Sequence, residues 1–173
     1  LTHEAVKLSP LARWLVIHTG NWVTGIDPKG WTCLHRMHHQ FSDTEKDPHS
    51  PVTHGVFGVA KYQVSSYEKA LVGLARKNER YMRVVEDLDF PVNWMNRKKL
   101  WWLPHVLHGA LALGAGLFFD MWLLGAAYWL GMMSHPVQGW MVNSFAHMYG
   151  YRNFDTNDNS KNNTWVAWLV MGE

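Results

Sequence analysis

Residues 100–142 read LWWLPHVLHGALALGAGLFFDMWLLGAAYWLGMMSHPVQGWMV, and between Gly109 and Met133 the only charged residue is Asp120. Two topologies fit such a stretch. One is a single span over about 109–133; the other is a helical hairpin turning near Phe119-Asp120, with arms 100–119 and 121–142. At about 1.5 Å of rise per residue, an arm of about 20 residues matches a hydrocarbon core roughly 30 Å thick. A charge at the bilayer centre costs at least about 2.5 kcal/mol, so an interfacial turn at Asp120 is the cheaper arrangement. Trp101, Trp102, Trp122 and Trp140 fall where interfacial aromatic belts belong. Arg97-Lys98-Lys99 precedes the first arm and marks that end as cytoplasmic. The hairpin then returns Asn143 and the residues after it to the same side. The expected fold class is all-α: an integral membrane protein with a transmembrane helical hairpin (100–142), a cytoplasmic helical cap (1–99) and a cytoplasmic return segment (143–173).

Within the cap, LARWLVI at 11–17 is too short to span a bilayer and predicts a buried or interfacial helix. Gly20, Gly25, Asp27, Pro28 and Gly30 form a turn-rich break. Residues 31–40 resume a helical pattern, and FSDTEKDPHSP at 41–51, polar with two prolines, predicts a capped loop. Over 67–88, Tyr67, Leu71, Leu74, Tyr81, Val85 and Leu88 recur at three- and four-residue steps, interrupted by Asn78. Glu68, Lys69, Arg76, Lys77, Arg80 and Arg83 take the other face. This pattern predicts an amphipathic helix on the surface of the cap.

Composition excludes several classes. Sixteen Lys and Arg against fourteen Asp and Glu give a net charge of +2. No basic stripe with interleaved aromatics is present, so nucleic acid is not an expected partner. A lone cysteine, Cys33, excludes an internal disulfide and a cysteine-rich zinc site. Eleven Trp suit a membrane interface, and eleven His suggest metal chemistry where they cluster.

They cluster at His35-Arg36-Met37-His38-His39. On a helix, positions i, i+3 and i+4 share a face, so three imidazoles converge within one turn. Neutral imidazole is a favoured ligand of iron, copper and zinc. Asn143 and His147, four apart at the exit of the second arm, form a weaker pair that either caps the helix or joins the same site, since the hairpin returns it to that side. His3 alone is uninformative. His18, His49, His54, His105, His108 and His135 have no clustered partners; His105 and His108 share a helical face and read as packing residues.

HRMHHQFSDTEKDPHSP (35–51) resembles the second histidine box of membrane fatty-acid desaturases of the delta-9 acyl-CoA and acyl-lipid type. NSFAHMYGYR (143–152) resembles that family's exit motif after its fourth transmembrane helix, and LTHEAVKLSP (1–10) the tail of its first box. The likeness covers nearly the whole chain in one order. It implies that His3 is the second histidine of box one, and that His35, His38 and His39 are the three of box two. It further implies that His147 is an additional ligand and that Asn143 reaches a metal through water. Trp31, four residues before box two, and less directly Trp140 would line an acyl tunnel. The expected cofactor is a pair of iron ions, with O2 as co-substrate and no catalytic side chain beyond the metal centre. The expected reaction is introduction of a cis double bond, at the delta-9 position, into a saturated acyl chain. Expected partners are a fatty acyl-CoA or acyl-lipid, membrane lipid, and an electron donor of the cytochrome b5 or ferredoxin type, with the active site on the cytoplasmic side. The first histidine of box one would precede Leu1 and a third box would follow Glu173, so the chain is expected to be an internal fragment, inactive alone. Glu4 departs from the basic residue common after box one. A histidine-box membrane hydroxylase and a non-catalytic metal-binding membrane protein are the competing readings. A metalloprotease is disfavoured by the lack of H-E-x-x-H.

Overall fold

A computed structural model describes residues 2–3, 6–155 and 159–172; Glu4 lies outside them. The described chain is helical, and its one β-type pairing is an isolated bridge between Tyr151 and Asn162. The main helices are α1 (Pro10–Thr24), α2 (Pro28–Phe41), α3 (Pro51–Ala75), α6 (Leu103–Phe119) and α7 (Trp122–Met148). Short elements fill in between: α4 (Glu79–Met82), a 3-10 turn (Arg83–Val85), α5 (Trp94–Arg97) and α8 (Thr164–Leu169).

The first three helices start by one device. Ser9, Asp27 and Ser50 are N-caps whose side chains accept a backbone N–H of the first turn, and each is followed by a proline with its φ already helical. The break before α2 is narrower than the glycines at 20–30 suggest. Helix α1 runs through Gly20 and stops at Gly25, whose φ of 68° ends it. The cap core is the apolar face of α2 (Cys33, Leu34, Met37) set against Tyr67, Leu71 and Leu74 of α3 and against Val85, Leu88, Phe90 and Val92. Gly30 permits the close approach: a Cβ there would lie 2.6 Å from Leu71 Cδ2.

The surface helix expected over 67–88 is two pieces. The apolar positions are buried as the pattern predicts, Tyr81 only partly, but α3 ends at Ala75, Lys77 takes a left-handed φ of 54°, and Asn78 Oδ1 caps the restart by accepting from the Arg80 N–H. An asparagine competes for backbone groups and favours caps over helix interiors, which accounts for the break.

Between α6 and α7 the chain reverses at Asp120, which adopts φ 55°. The register is antiparallel: Gly116 faces Trp122, Ala112 faces Gly125, and Gly109 faces Trp129. At Gly125 a Cβ would collide with the Ala112 carbonyl oxygen, so the two backbones touch there. The hairpin thus turns where the sequence places its turn. Among the described residues no helix is long and apolar enough to cross a membrane. Helix α6 has 17 residues, about 26 Å of rise, and α7, though continuous, has its apolar sequence broken by Ser134, His135, Pro136 and Gln138. Helix α7 also packs along α3, so its C-terminal end arrives beside the α2–α3 loop.

Candidate metal centre

Helix α2 presents His35 and His39 on one face. Their Nε2 atoms are 3.0 Å apart, and His3 Nε2 lies 2.9 Å from that of His35. The three rings meet edge to face, at 75–83°. Two nitrogen donors bound at right angles to one ion, at about 2.1 Å each, are themselves about 3 Å apart, a spacing that a shared ion and an N–H···N hydrogen bond both give. Nδ1 of His35 is buried without a partner. Burial first, then the neighbouring His39, His3 and His38, push the His35 imidazole down to about 4, so it stays neutral and able to ligate.

His3 is brought there by Arg36, the residue between the histidines. Its Nε donates to the Thr2 carbonyl at 3.1 Å, and its Nη atoms donate to the Val84 carbonyl and the Asp87 carboxylate. One guanidinium thereby straps the segment carrying His3 and the segment after α4 to α2.

A second group lies one step along α2. The His38 ring is 5.6 Å from that of His39, and 5.3 Å from that of His147, which arrives on α7. Each of these two histidines, His38 and His147, is held through Nδ1 by a carboxylate, which leaves Nε2 for a metal. His38 Nδ1 lies 2.9 Å from both oxygens of Asp47. His147 Nδ1 lies 3.1 Å from Asp43 Oδ2. A carboxylate behind a histidine fixes its tautomer and orientation and raises its basicity as a ligand.

Both carboxylates are engaged on several sides. Asp47 also accepts the backbone N–H groups of Asp43 and His49. Burial pushes its carboxyl up, but the His38 hydrogen bond and charge, with these two N–H groups, outweigh burial and hold it below the ordinary range. Asp43 additionally accepts the Ser50 hydroxyl and the Asn159 N–H. That last bond ties the return segment to the site. Asn143 is buried one turn before His147 on the same face of α7.

The other residues singled out in the sequence fall as follows. Trp31 stacks on His35 at 5.5 Å and lines a cavity of about 300 Å³ with Val16, Gly20, Thr24, Ile26 and His135. Trp140 Nε1 donates to the Val56 carbonyl beside the kink at Gly55, clamping α7 to α3. His105 and His108 lie away from the cluster; His108 bonds Tyr128 and the Trp22 carbonyl, as a packing residue does. The residues that pattern reading missed are Asp43, Asp47 and His49. Their signal was the D-x3-D-x-H spacing after box two, which places both carboxylates behind histidines once the loop folds back. His49, which looks isolated in the sequence, stacks on His38 at 4.5 Å.

The family model for fatty acid desaturases matches residues 1–173. The chain belongs to the fatty acid desaturase family. It is similar along its whole length to a delta-9 desaturase-like 2 protein of Arabidopsis thaliana (31% identity, 55% of that protein covered). It is equally similar to a chloroplastic palmitoyl-monogalactosyldiacylglycerol delta-7 desaturase of the same plant (31%, 44% covered). An acyl-CoA 5-desaturase of Anemone leveillei matches at 31%, with 51% covered. The chain therefore spans about half the length of these curated desaturases. No solved structure matches it.

The residues of this desaturase chain fit a pair of metal ions. Two adjacent donor groups are present among the described residues: His3, His35 and His39, and His38 with Asp47 and His49, the His38 ring also facing His147. Imidazole suits iron, copper, nickel and zinc alike, so the donor set is compatible with iron.

Proposed function

We propose that the protein carrying this chain is an O2-dependent di-iron desaturase that introduces a cis double bond, at the delta-9 position, into a fatty acyl chain. The observation that supports this most directly is the meeting of His3, His35, His38, His39 and His147, drawn from both ends of the chain, in one cluster. His3, His35 and His39 would hold one iron. His38 and His147 would contribute to the other, with Asn143 reaching it through water.

Such iron, when bound, supplies an O2-derived oxidant strong enough to take hydrogen from a methylene group, which no acid–base side chain can do. The chain's own residues do the rest. Asp47 and Asp43 hold His38 and His147 in the ligating tautomer. Arg36 holds His3 in place. Trp31, between the histidines and the apolar cavity, positions the acyl chain and keeps the approach dry, so that one carbon pair is presented.

The substrate is a fatty acyl-CoA or acyl-lipid, a proposal in keeping with relatives named for both. The hairpin is proposed to sit in the membrane. Support comes from its outward apolar surface, where Leu117, Phe118, Phe119, Leu123, Leu124 and Leu130 are all more than half exposed; a soluble monomer rarely exposes so much apolar surface. The site then faces the cytoplasm, the side to which Arg97-Lys98-Lys99 assigns the start of the hairpin, and there a cytochrome b5- or ferredoxin-type donor delivers electrons. Activity is tested in a full-length protein carrying this chain, supplied with donor, O2 and acyl substrate. Desaturated product is expected from the unaltered protein and none from His35→Ala or His147→Ala.

A further inference from the structure

A cavity of about 480 Å³ lies between the C-terminal half of α3 and the start of the hairpin, and no histidine is among its described lining residues. Lys69 on α3, Arg76 at the end of α3 and Lys99 in the turn after α5 line it, and all three are exposed. Against these three cations stands one carboxylate, Glu68, and it is engaged: Oε1 accepts the Trp101 indole N–H at 2.9 Å. That bond fixes the Trp101 ring in the cavity wall. Lys99 has φ 60°, just past a helix end where glycine is the usual residue, so the turn itself gives no reason for a lysine.

The cavity also opens where interfacial aromatics gather. Trp101 lines it, and Trp94 and Trp102, its neighbours in the same segment, are 54% and 45% exposed. Tryptophan marks headgroup depth, and a basic pocket at the cytoplasmic foot of a membrane helix attracts negatively charged lipid.

We propose that this cavity binds the phosphate of an anionic phospholipid headgroup, with Lys69, Arg76 and Lys99 as its charge partners and Trp101 as the wall beside it. The site holds a resident lipid and is separate from the cavity beside Trp31 that takes the acyl chain. The proposal rests on the reading of the hairpin as membrane-embedded. It gives the cap a fixed seat on the bilayer, because one headgroup joins α3 of the cap to the foot of α6.

The test reconstitutes the full-length protein into nanodiscs of phosphatidylcholine with a minor fraction of phosphatidylglycerol. The protein is then re-extracted into mild detergent, and the phospholipid it retains is identified by native mass spectrometry. The unaltered protein is expected to retain phosphatidylglycerol in preference to phosphatidylcholine. Replacing Lys69→Gln and Lys99→Gly together, with Arg76 left in place, is expected to lower that retention by at least about tenfold. Lys99→Gly alone suits the left-handed turn, so it is expected to melt no lower than the unaltered protein while still losing lipid. Lys61→Gln, at an exposed lysine of α3 outside the cavity lining, is expected to retain the lipid fully. Equal retention of the two lipids, full retention in the folded Lys99→Gly and double variants, or displacement of the lipid by free coenzyme A overturns the assignment alone. A protein that enters no nanodisc overturns the membrane reading, and the lipid site with it.

Discussion

A histidine ligates only if it is neutral, correctly rotated and presenting the right nitrogen, and here each condition has a residue behind it. The Asp47–His38 pair is the clearest case, so Asp47→Asn is expected to weaken metal binding by about 10- to 100-fold while leaving α2 folded, measured by metal titration with circular dichroism. Burial and the neighbouring imidazoles lower His35, and hydrogen bonds lower Asp47. In both cases the unfolded chain binds more protons than the folded one, so stability rises with pH across the interval between the two values and is lost as pH falls through it. For His35 that interval runs from the ordinary 6.5 down to about 4. For Asp47 the contribution is present above the ordinary carboxylate value of 3.8 and is lost below it. The metal-free protein is expected to show a falling melting temperature between about pH 6.5 and 4, with a shallower fall in His35→Asn; equal slopes would contradict it. His35, His38 and His39 were legible from the sequence by their i, i+3, i+4 spacing, while His3 was placed only by the family resemblance and His147 by the hairpin's return. The carboxylates behind them, and His49, were not. Their place depends on a loop folding back over the helix it follows, and no periodicity encodes that.

The scaffold rests on a few backbone approaches. Gly125 lets α7 touch α6 at the Ala112 carbonyl, so Gly125→Leu forces the hairpin apart. Overpacking in a tight interior costs about 1–3 kcal/mol, and backbone contact leaves little room to relax. A lowered melting temperature in membrane mimetics, with loss of His147 from the metal centre, is expected; an unchanged melt would show that the helices do not need this contact. Gly25, at φ 68°, closes α1 against the His105 ring, so Gly25→Val is expected to destabilise as well, by strain and by collision. The bodies of α1, α2 and the hairpin were legible from their apolar and helical patterns, whereas the start of α2 at Asp27-Pro28, which reads as part of a break, was not. The single helix expected over 67–88 divides at Asn78, where a local cap outweighs a continuous apolar stripe. The stripe was still right about burial, because the chain after the break returns to the same core.

Across the whole molecule, the hairpin arms and the cap divide the work: one carries the outward apolar surface, the other the nitrogen donors, and α7 belongs to both. The cationic edge at Arg76, Lys77 and Arg80 is exposed on the cap. Reversing these three charges is expected to raise the KM for an acidic electron donor several-fold, more at low salt, without changing metal content; an unchanged KM would place the donor elsewhere. The central claim is that distant histidines meet to build a centre that removes hydrogen from an acyl chain. It is tested most directly by mass analysis of acyl products from the full-length protein, with O2 and a reducing system. The account predicts a product lighter by two hydrogens, formed by the unaltered protein and absent from His35→Ala and His147→Ala. A product heavier by one oxygen, or turnover that survives the loss of those histidines, would contradict it.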